Sequence, residues 1–449
     1  MHPNLSYLAT SPRAKSAMLM SSLLKQGSPK FAPKKPFVVA LALVVSAGFS
    51  GAALASPLVL DWGFPTSTVD NEVSNDLSRT RTQTGTRDGL TFTASSRIVG
   101  VGSTGTIPAG AGDIRYFATA PRYSGVVALI MDYGSAGSFI CSGSLMTDRR
   151  SILTAAHCVT DGPSLANPLS TTAYFYGGPN DRFFNDTTGL DPVTVANVSN
   201  IFVNSAYTGQ VIDQNDIAVL RLTADAPTFA TSYDFDTGTG PSLVGQDFNV
   251  AGYGARGASG NTGATFGTGR RRQGDNRYDY AFGDSAFGGF FTDRDPGTGL
   301  AFWDDVSRAP ADYSRSIISD FDNGLAANDM SCNLAVFGFG LAPMAQFCDL
   351  GRGFTEVSVA GGDSGGPQFV NGKVASVTSF GFSFGPGFGD VDGRLNSSFG
   401  EGNGFVPTSI HSAFIRSAMV PEPATLALVG TALFGLAASR RRRPAVTEG

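Results

Sequence analysis

The sequence predicts an all-β protein with more than one hydrophobic core, and three observations carry that expectation. Short apolar, β-branched runs recur between glycine-rich turns, as at 125–130, at Phe369-Val370 and at Val374-Ala375-Ser376-Val377. Runs of roughly four to eight such residues bounded by turn signals read as buried strands. The stretch 125–160 reads as a hairpin region: an apolar run, a turn at 133–137, then a second run at 138–145. Finally, 449 residues exceed what one core ordinarily organises.

Composition narrows the class. Hydrophobic residues make up 42% and charged residues only 15%, with a net charge of -5, so a basic nucleic-acid surface is excluded. The short run Arg270-Arg271-Arg272, flanked by glycine and Asp275, reads as a solvated loop. Residues 37–49 are almost wholly apolar, follow Lys30, Lys34 and Lys35, and precede the small residues Ala53-Leu54-Ala55. That pattern reads as a secretory signal peptide spanning 1–55 and cut after Ala55. A membrane anchor is the alternative, and the run is short for one, since a span needs about 20 apolar residues. The next stretch, 56–97, is polar without sustained period and reads as a pro-segment or flexible extension.

Chemistry concentrates in Ala360-Gly361-Gly362-Asp363-Ser364-Gly365-Gly366-Pro367. Glycine allows backbone angles and close approaches that a Cβ would forbid. A serine held in such a loop presents its hydroxyl, with neighbouring N–H groups able to face an oxyanion. A serine nucleophile also needs a base, usually histidine. Of His2, His157 and His411, only His157 ends an apolar strand, in Leu153-Thr154-Ala155-Ala156-His157-Cys158. His411 reads as a surface or packing residue.

Those two motifs, in that chain order, resemble the His and Ser motifs of the trypsin/chymotrypsin-like serine proteases. The resemblance covers most of 98–418 and implies two six-stranded antiparallel β-barrels with a C-terminal helix near 406–416. It also implies a triad of His157, Asp216 and Ser364, with Asp216 opening the strand Ile217-Ala218-Val219-Leu220-Arg221-Leu222. Asp213 lacks such a following run. The oxyanion hole implied is the backbone of Gly362 and Ser364. Cys141 and Cys158 occupy the family's histidine-loop disulfide positions, leaving Cys332 and Cys348 to pair. Four cysteines allow three pairings, and an exported chain fits an oxidising compartment. A metal site is the rival reading of the cysteines, but no C-x-x-C or paired-histidine spacing is present, so neither metal nor cofactor is expected.

Arg97-Ile98-Val99-Gly100 resembles the family's activation site, in which the freed Ile98 ammonium pairs with Asp363; an ordinary strand start is the alternative. The resemblance places Ser358 on the floor of the specificity pocket and Ser379, Phe380 and Gly381 on the edge that pairs with substrate backbone. A neutral Ser358 argues against selection of Lys or Arg, unless Glu356 or Asp390 supplies charge. Maturation at Arg97 would then call on a separate activating protease. The Gly- and Phe-rich stretches 255–300 and 380–399 read as variable surface loops, or as loops shaping the cleft or binding a partner.

The chain ends in Val420-Pro421-Glu422-Pro423, an apolar run at 424–438 and four arginines, 440–443. This segment, 419–449, resembles the PEP-CTERM sorting signals of Gram-negative bacteria. It implies export machinery and a sorting transpeptidase-like enzyme as partners, with delivery to the periplasm, cell surface or medium. A permanent transmembrane anchor is the alternative. Taken together, the sequence implies an exported serine endopeptidase acting on proteins or peptides. A catalytically silent surface or matrix protein on the same fold, or an esterase, are the rivals.

Overall fold

The computed structural model describes residues 82–87, 90–96, 99–100, 114–160, 162, 168–178, 192–240, 242–257, 259–264 and 266–419. The chain separates into Met1–Leu54 and Ala55–Gly449, and every described residue belongs to the second unit. The expected signal peptide, Arg97, Ile98 and the tail from Val420 lie outside the described residues.

A hairpin comes first, β1 (Thr82–Arg87) and β2 (Leu90–Ser96), followed by the short β3 (Val99–Gly100). Six strands then build one sheet: β4 (Val126–Asp132), β5 (Ser138–Leu145), β6 (Ser151–Thr154), β7 (Ser170–Tyr176), β8 (Val193–Val203) and β9 (Ala218–Leu222). Their pairing order β4–β7–β8–β9–β6–β5 returns to β4, so the sheet closes into a barrel. Closure removes the edges that an open sheet would expose. The predicted hairpin is there, with Met131 opposite Phe139 and the turn at Gly134–Ala136.

The second sheet uses β10 (Asp247–Gly252), β11 (Arg272–Arg277), β12 (Tyr280–Ala281), β13 (Ile317–Asp320), β14 (Pro367–Val370), β15 (Lys373–Ser383) and β16 (Gly402–Pro407). Its path is β11–β10–β14–β15–β16–β13–β12 and it stays open, a half-barrel beside the closed one. The expected two-barrel, all-β architecture is present in this form. A short helix α1 (Met330–Asn333) carries Cys332 of the second disulfide, and α2 (Ser412–Ala418) is the expected C-terminal helix. Ile415 and Ala418 of α2 pack with Val126 and Ile140 of the barrel and Val374, Val377 and Val406 of the half-barrel. One apolar cluster therefore joins the two sheets.

Three expectations need correcting. Part of the stretch read as a flexible extension is ordered: β2 pairs with β15, and Leu90, Phe92 and Ala94 are buried. The alternation Leu90, Phe92, Ala94 is a period of two, which sends one face of a strand into a core. Surface loops were expected at 255–300 and 380–399, yet Phe282, Phe287, Phe291, Phe302 and Trp303 are buried with Phe380, Phe382 and Phe384. Phe282 stacks on Phe380 at 6.1 Å, and Trp303 meets Phe92 edge-on at 4.3 Å. Arg270 and Arg271 are buried rather than solvated. The Arg271 guanidinium donates through Nε and Nη1 to the carbonyls of Ala118 (2.7 Å), Tyr123 (2.8 Å) and Tyr176 (2.7 Å), which gives a buried cation three backbone acceptors.

The aromatic cluster yields a prediction. Phe282→Ala removes a ring that touches six other aromatic side chains and should cost about 3–5 kcal/mol, read as a lowered midpoint in denaturant unfolding. Val306→Thr, at a position 82% exposed, should stay within about 0.5 kcal/mol of the parent.

Candidate active site

His157 is delivered by β6. The strand ends at Thr154, Ala155 is still extended, and Ala156–Cys158 form a single 3₁₀ turn. The disulfide Cys141–Cys158 pins that turn to β5, and Cys332–Cys348 closes the other expected loop. β6 pairs with β9 so that Thr154 lies opposite Ala218. That register brings the residue three beyond one strand against the residue two before the other, which are His157 and Asp216.

Both side chains are buried. The Nδ1 of His157 lies 2.6 Å from Asp216 Oδ2, and the His157 backbone N–H donates to Oδ1 at 2.8 Å. Ser379 of β15 adds a third donor, its hydroxyl 2.5 Å from Oδ2. The carboxylate acts as acceptor, so Nδ1 carries the proton and Nε2 is left with its lone pair. Nε2 is buried with no hydrogen-bond partner.

The Ser364 loop is shaped by backbone bonds on both flanks. Gly365 N–H donates to Thr378 O, and Thr378 N–H returns the bond to Gly366 O. Gly362 and Gly365 sit at φ +97° and +77°, the left-handed region that L side chains rarely enter. Ser142, next to Cys141 on β5, ties the loop to the barrel. Its N–H donates to Ser364 O at 2.8 Å, and its hydroxyl donates to Gly362 O at 2.8 Å while accepting from Tyr253 N–H at 2.9 Å. The Asp363 carboxylate turns away to accept from Gly254 N–H (2.7 Å) and Ala360 N–H (2.9 Å).

The sequence-derived site residues are thus brought together in part. His157 and Asp216 touch, and Ser364 reaches them through Ser142 and the Cys141–Cys158 bridge. Asp213 caps its own turn through Thr208 and Asn215. His411, expected at the surface or in packing, is buried: it contacts Asn204 at 2.9 Å and Gln214 O at 2.7 Å, bracing the loop before Asp216. Ser358 bonds Asn403 Oδ1 at 3.0 Å and lines a cavity of about 220 Å³ with Glu356, Asp363 and Gly254. Ser379, Phe380 and Gly381 do not line that cavity; Phe380 belongs to the aromatic cluster. Asp390 bonds Ser383 and is also elsewhere. Ser142 and the Ser379 hydroxyl were missed by sequence reasoning, because their roles depend on contacts across more than 100 residues.

Behind the cavity wall lies a buried group of acids, Asp279, Asp320, Asp322, Asp329 and Glu356. Burial, then the neighbouring Asp320 charge, pushes Asp329 up to about 8, and burial pushes Glu356 up to about 8. Asp320, Asp322 and Asp329 each bring a carboxylate oxygen within 4.8 Å of the others, a spacing suited to a hard divalent cation. Cys141, His157 and Cys158 also lie close, but both sulfurs are spent in the disulfide.

The family model of trypsin matches residues 117–282, which take in His157 and Asp216 and stop short of Ser364. The model of the PEP-CTERM protein-sorting motif matches residues 420–443. Residues 117–282 are thus similar to a trypsin domain, and residues 420–443 to a PEP-CTERM sorting motif. The two together support a trypsin-type protease marked for export and sorting. No curated protein matches the chain. Among the described residues no helix is long and apolar enough to cross a membrane, and the apolar run expected as an anchor lies outside them.

The raised acids set a pH dependence. A carboxyl held near 8 in the folded chain but near about 4 when unfolded keeps its proton only in the fold. Its stabilising contribution is complete below about pH 4 and is lost as pH rises through 8, at up to about 1.4 kcal/mol per pH unit for each group. Melting temperature in chelator-containing buffer should therefore fall from pH 5 to pH 9. Glu356→Gln should flatten part of that slope.

Proposed function

We propose that this chain is an exported serine endopeptidase with Ser364, His157 and Asp216 as its catalytic triad. The observation that carries the reading is the buried His157–Asp216 pair, whose carboxylate takes three donors and leaves Nε2 as the acceptor beside the serine loop. Ser364 Oγ attacks the scissile carbonyl while His157 Nε2 takes its proton, then returns it to the leaving amine. Asp216 holds the imidazole tautomer and stabilises the imidazolium. The N–H groups of Gly362 and Ser364 receive the oxyanion, and losing one such donor costs on the order of 3 kcal/mol in the barrier. Water then hydrolyses the acyl-enzyme. The triad alone serves esters as well as amides; the trypsin match supports the reading as a peptidase.

The neutral Ser358 offers no charge to a substrate cation, and the acids lining the same cavity are Glu356 and Asp363. The tail is read as a sorting handle, cut near Pro421-Glu422-Pro423 by a membrane transpeptidase-like enzyme, with peptide or protein substrates met outside the cytoplasm.

Three experiments test the reading. Ser364→Ala and His157→Ala should each abolish nearly all peptide hydrolysis, and the double variant should lose little more, because the groups act as a unit. A fluorophosphonate probe should label the parent and not Ser364→Ala; an unlabelled parent would point instead to a binding protein on a protease fold. Deleting residues from Val420 onward should release active enzyme into periplasm or medium, assayed by hydrolysis in the soluble fraction. A truncated chain that fails to fold would make the tail part of the domain.

A further inference from the structure

β13 ends at Asp320, and the chain that leaves it folds back to Asp329, the residue that caps α1. Asp320, Asp322 and Asp329 are 3%, 6% and 1% exposed, and each brings a carboxylate oxygen within 4.8 Å of the other two. Carboxylates at that spacing, out of water, repel one another unless positive charge lies among them. Two of the three are partly satisfied by backbone: Asp320 Oδ2 accepts from Ser331 N–H at 2.7 Å, and Asp329 Oδ1 from Cys332 N–H at 2.8 Å. Asp322 is not. Its Oδ1 is buried and has no hydrogen-bond partner. A buried oxygen of this kind is costly to leave without a donor or a cation. The arginines of this region, Arg277 and Arg352, are paired with Asp349. Besides its burial, the strongest influences on Asp322 are the charges of Asp320, Glu356, Asp329 and Asp279, all of its own sign.

The flanking acids fix the backbone of this group. Asp279 Oδ2 accepts from Asp320 N–H at 3.0 Å and from the Ser331 hydroxyl at 2.9 Å. Glu356 Oε1 accepts from Asp322 N–H at 2.8 Å, and its Oε2 accepts from Arg352 N–H. The Cys332–Cys348 disulfide holds the turn that follows the Asp329 cap. Three carboxylates are thus locked in position around one point, with one oxygen unanswered.

We propose that Asp320, Asp322 and Asp329 bind one calcium ion, which ties the end of β13 to the start of α1. The donor set decides the metal. It consists of carboxylate oxygens alone, and hard oxygen donors suit calcium or magnesium rather than zinc or copper. The one cysteine beside it, Cys332, is spent in its disulfide. Magnesium gives up its water reluctantly, whereas calcium accepts six to eight oxygens in adaptable geometry, so a buried all-carboxylate group favours calcium. Bidentate carboxylates and water complete the count. The consequence reaches the cavity: Glu356, hung from Asp322 N–H, lines the same wall as Ser358. The sequence hides this site, because the cysteine and histidine spacings that announce zinc are absent and the three acids meet only in the fold.

The test is made on the full chain, stripped with chelator, desalted, and titrated with CaCl₂ and separately with MgCl₂ and ZnCl₂. Calorimetry should show one calcium per chain with a Kd of about 1 mM or tighter, and the melting temperature should rise by several degrees at a hundredfold excess over Kd. Asp322→Asn and Asp329→Asn preserve shape, and asparagine still caps a helix. Each should weaken calcium at least tenfold and abolish most of the melting shift. Asp392→Asn, in the separate acidic group Asp390, Asp392 and Glu401, should bind calcium as the parent does. A stripped parent that neither binds calcium nor melts higher with it would overturn the proposal. So would tighter binding of magnesium or zinc, or binding that survives Asp322→Asn and Asp329→Asn and is lost in Asp392→Asn. Neither readout involves hydrolysis, so each result leaves the protease reading to its own tests.

Discussion

Burying the Asp216 carboxylate would cost several kcal/mol if its oxygens found no donors. The donors it has come from both sheets: the ring and backbone of His157 from the closed barrel, and the Ser379 hydroxyl from β15 of the half-barrel. The imidazole can be oriented only when the two sheets stand in the relation that brings Ser379 to Asp216. Ser142 repeats the logic on the nucleophile side, with its backbone in β5 and its hydrogen bonds on Gly362, Ser364 and Tyr253 of the other sheet. The geometry of the proposed triad and the packing of barrel on half-barrel are one constraint.

That dependence explains which parts of the site were legible in the sequence. His157, Asp216 and Ser364 sit in local contexts whose residue types are dictated by short-range needs: a small-residue turn after a strand, an acid before an apolar run, glycines around a serine. The disulfides follow from the same contexts and came out as expected. Ser142 and the Ser379 hydroxyl lie in stretches with many serines, and nothing local separates a bridging hydroxyl from a solvated one. Arg271 looked like part of a charged loop because its three acceptors are carbonyls, which carry no sequence signal.

The Gly- and Phe-rich stretches misled for a related reason. Tyr278, Tyr280 and Phe282, and again Phe380, Phe382 and Phe384, alternate with the period of two of a strand face, but the rings from 287 to 303 follow no such period. The structure makes a core from them anyway, by stacking rings from four separate segments, with Phe92, Phe282, Trp303 and Phe382 among them. Glycines between the rings let the backbones come close: Gly402 and Gly404 of β16 lie against the rings of Phe382 and Phe380. The alternating faces are local, but their meeting with Phe287, Phe291, Phe302 and Trp303 is made by tertiary contact, and only the fold reveals it.

The same cluster decides what the N-terminal hairpin can do. A two-stranded hairpin alone is marginal in water, and β1–β2 gains its stability from Phe92 and Leu90 in the cluster and from the ladder to β15. The hairpin therefore stands or falls with that cluster, whereas the groups that shape the serine loop, Asp363 on Gly254 and Ala360 and Ser142 on Ser364, are held by the two sheets themselves.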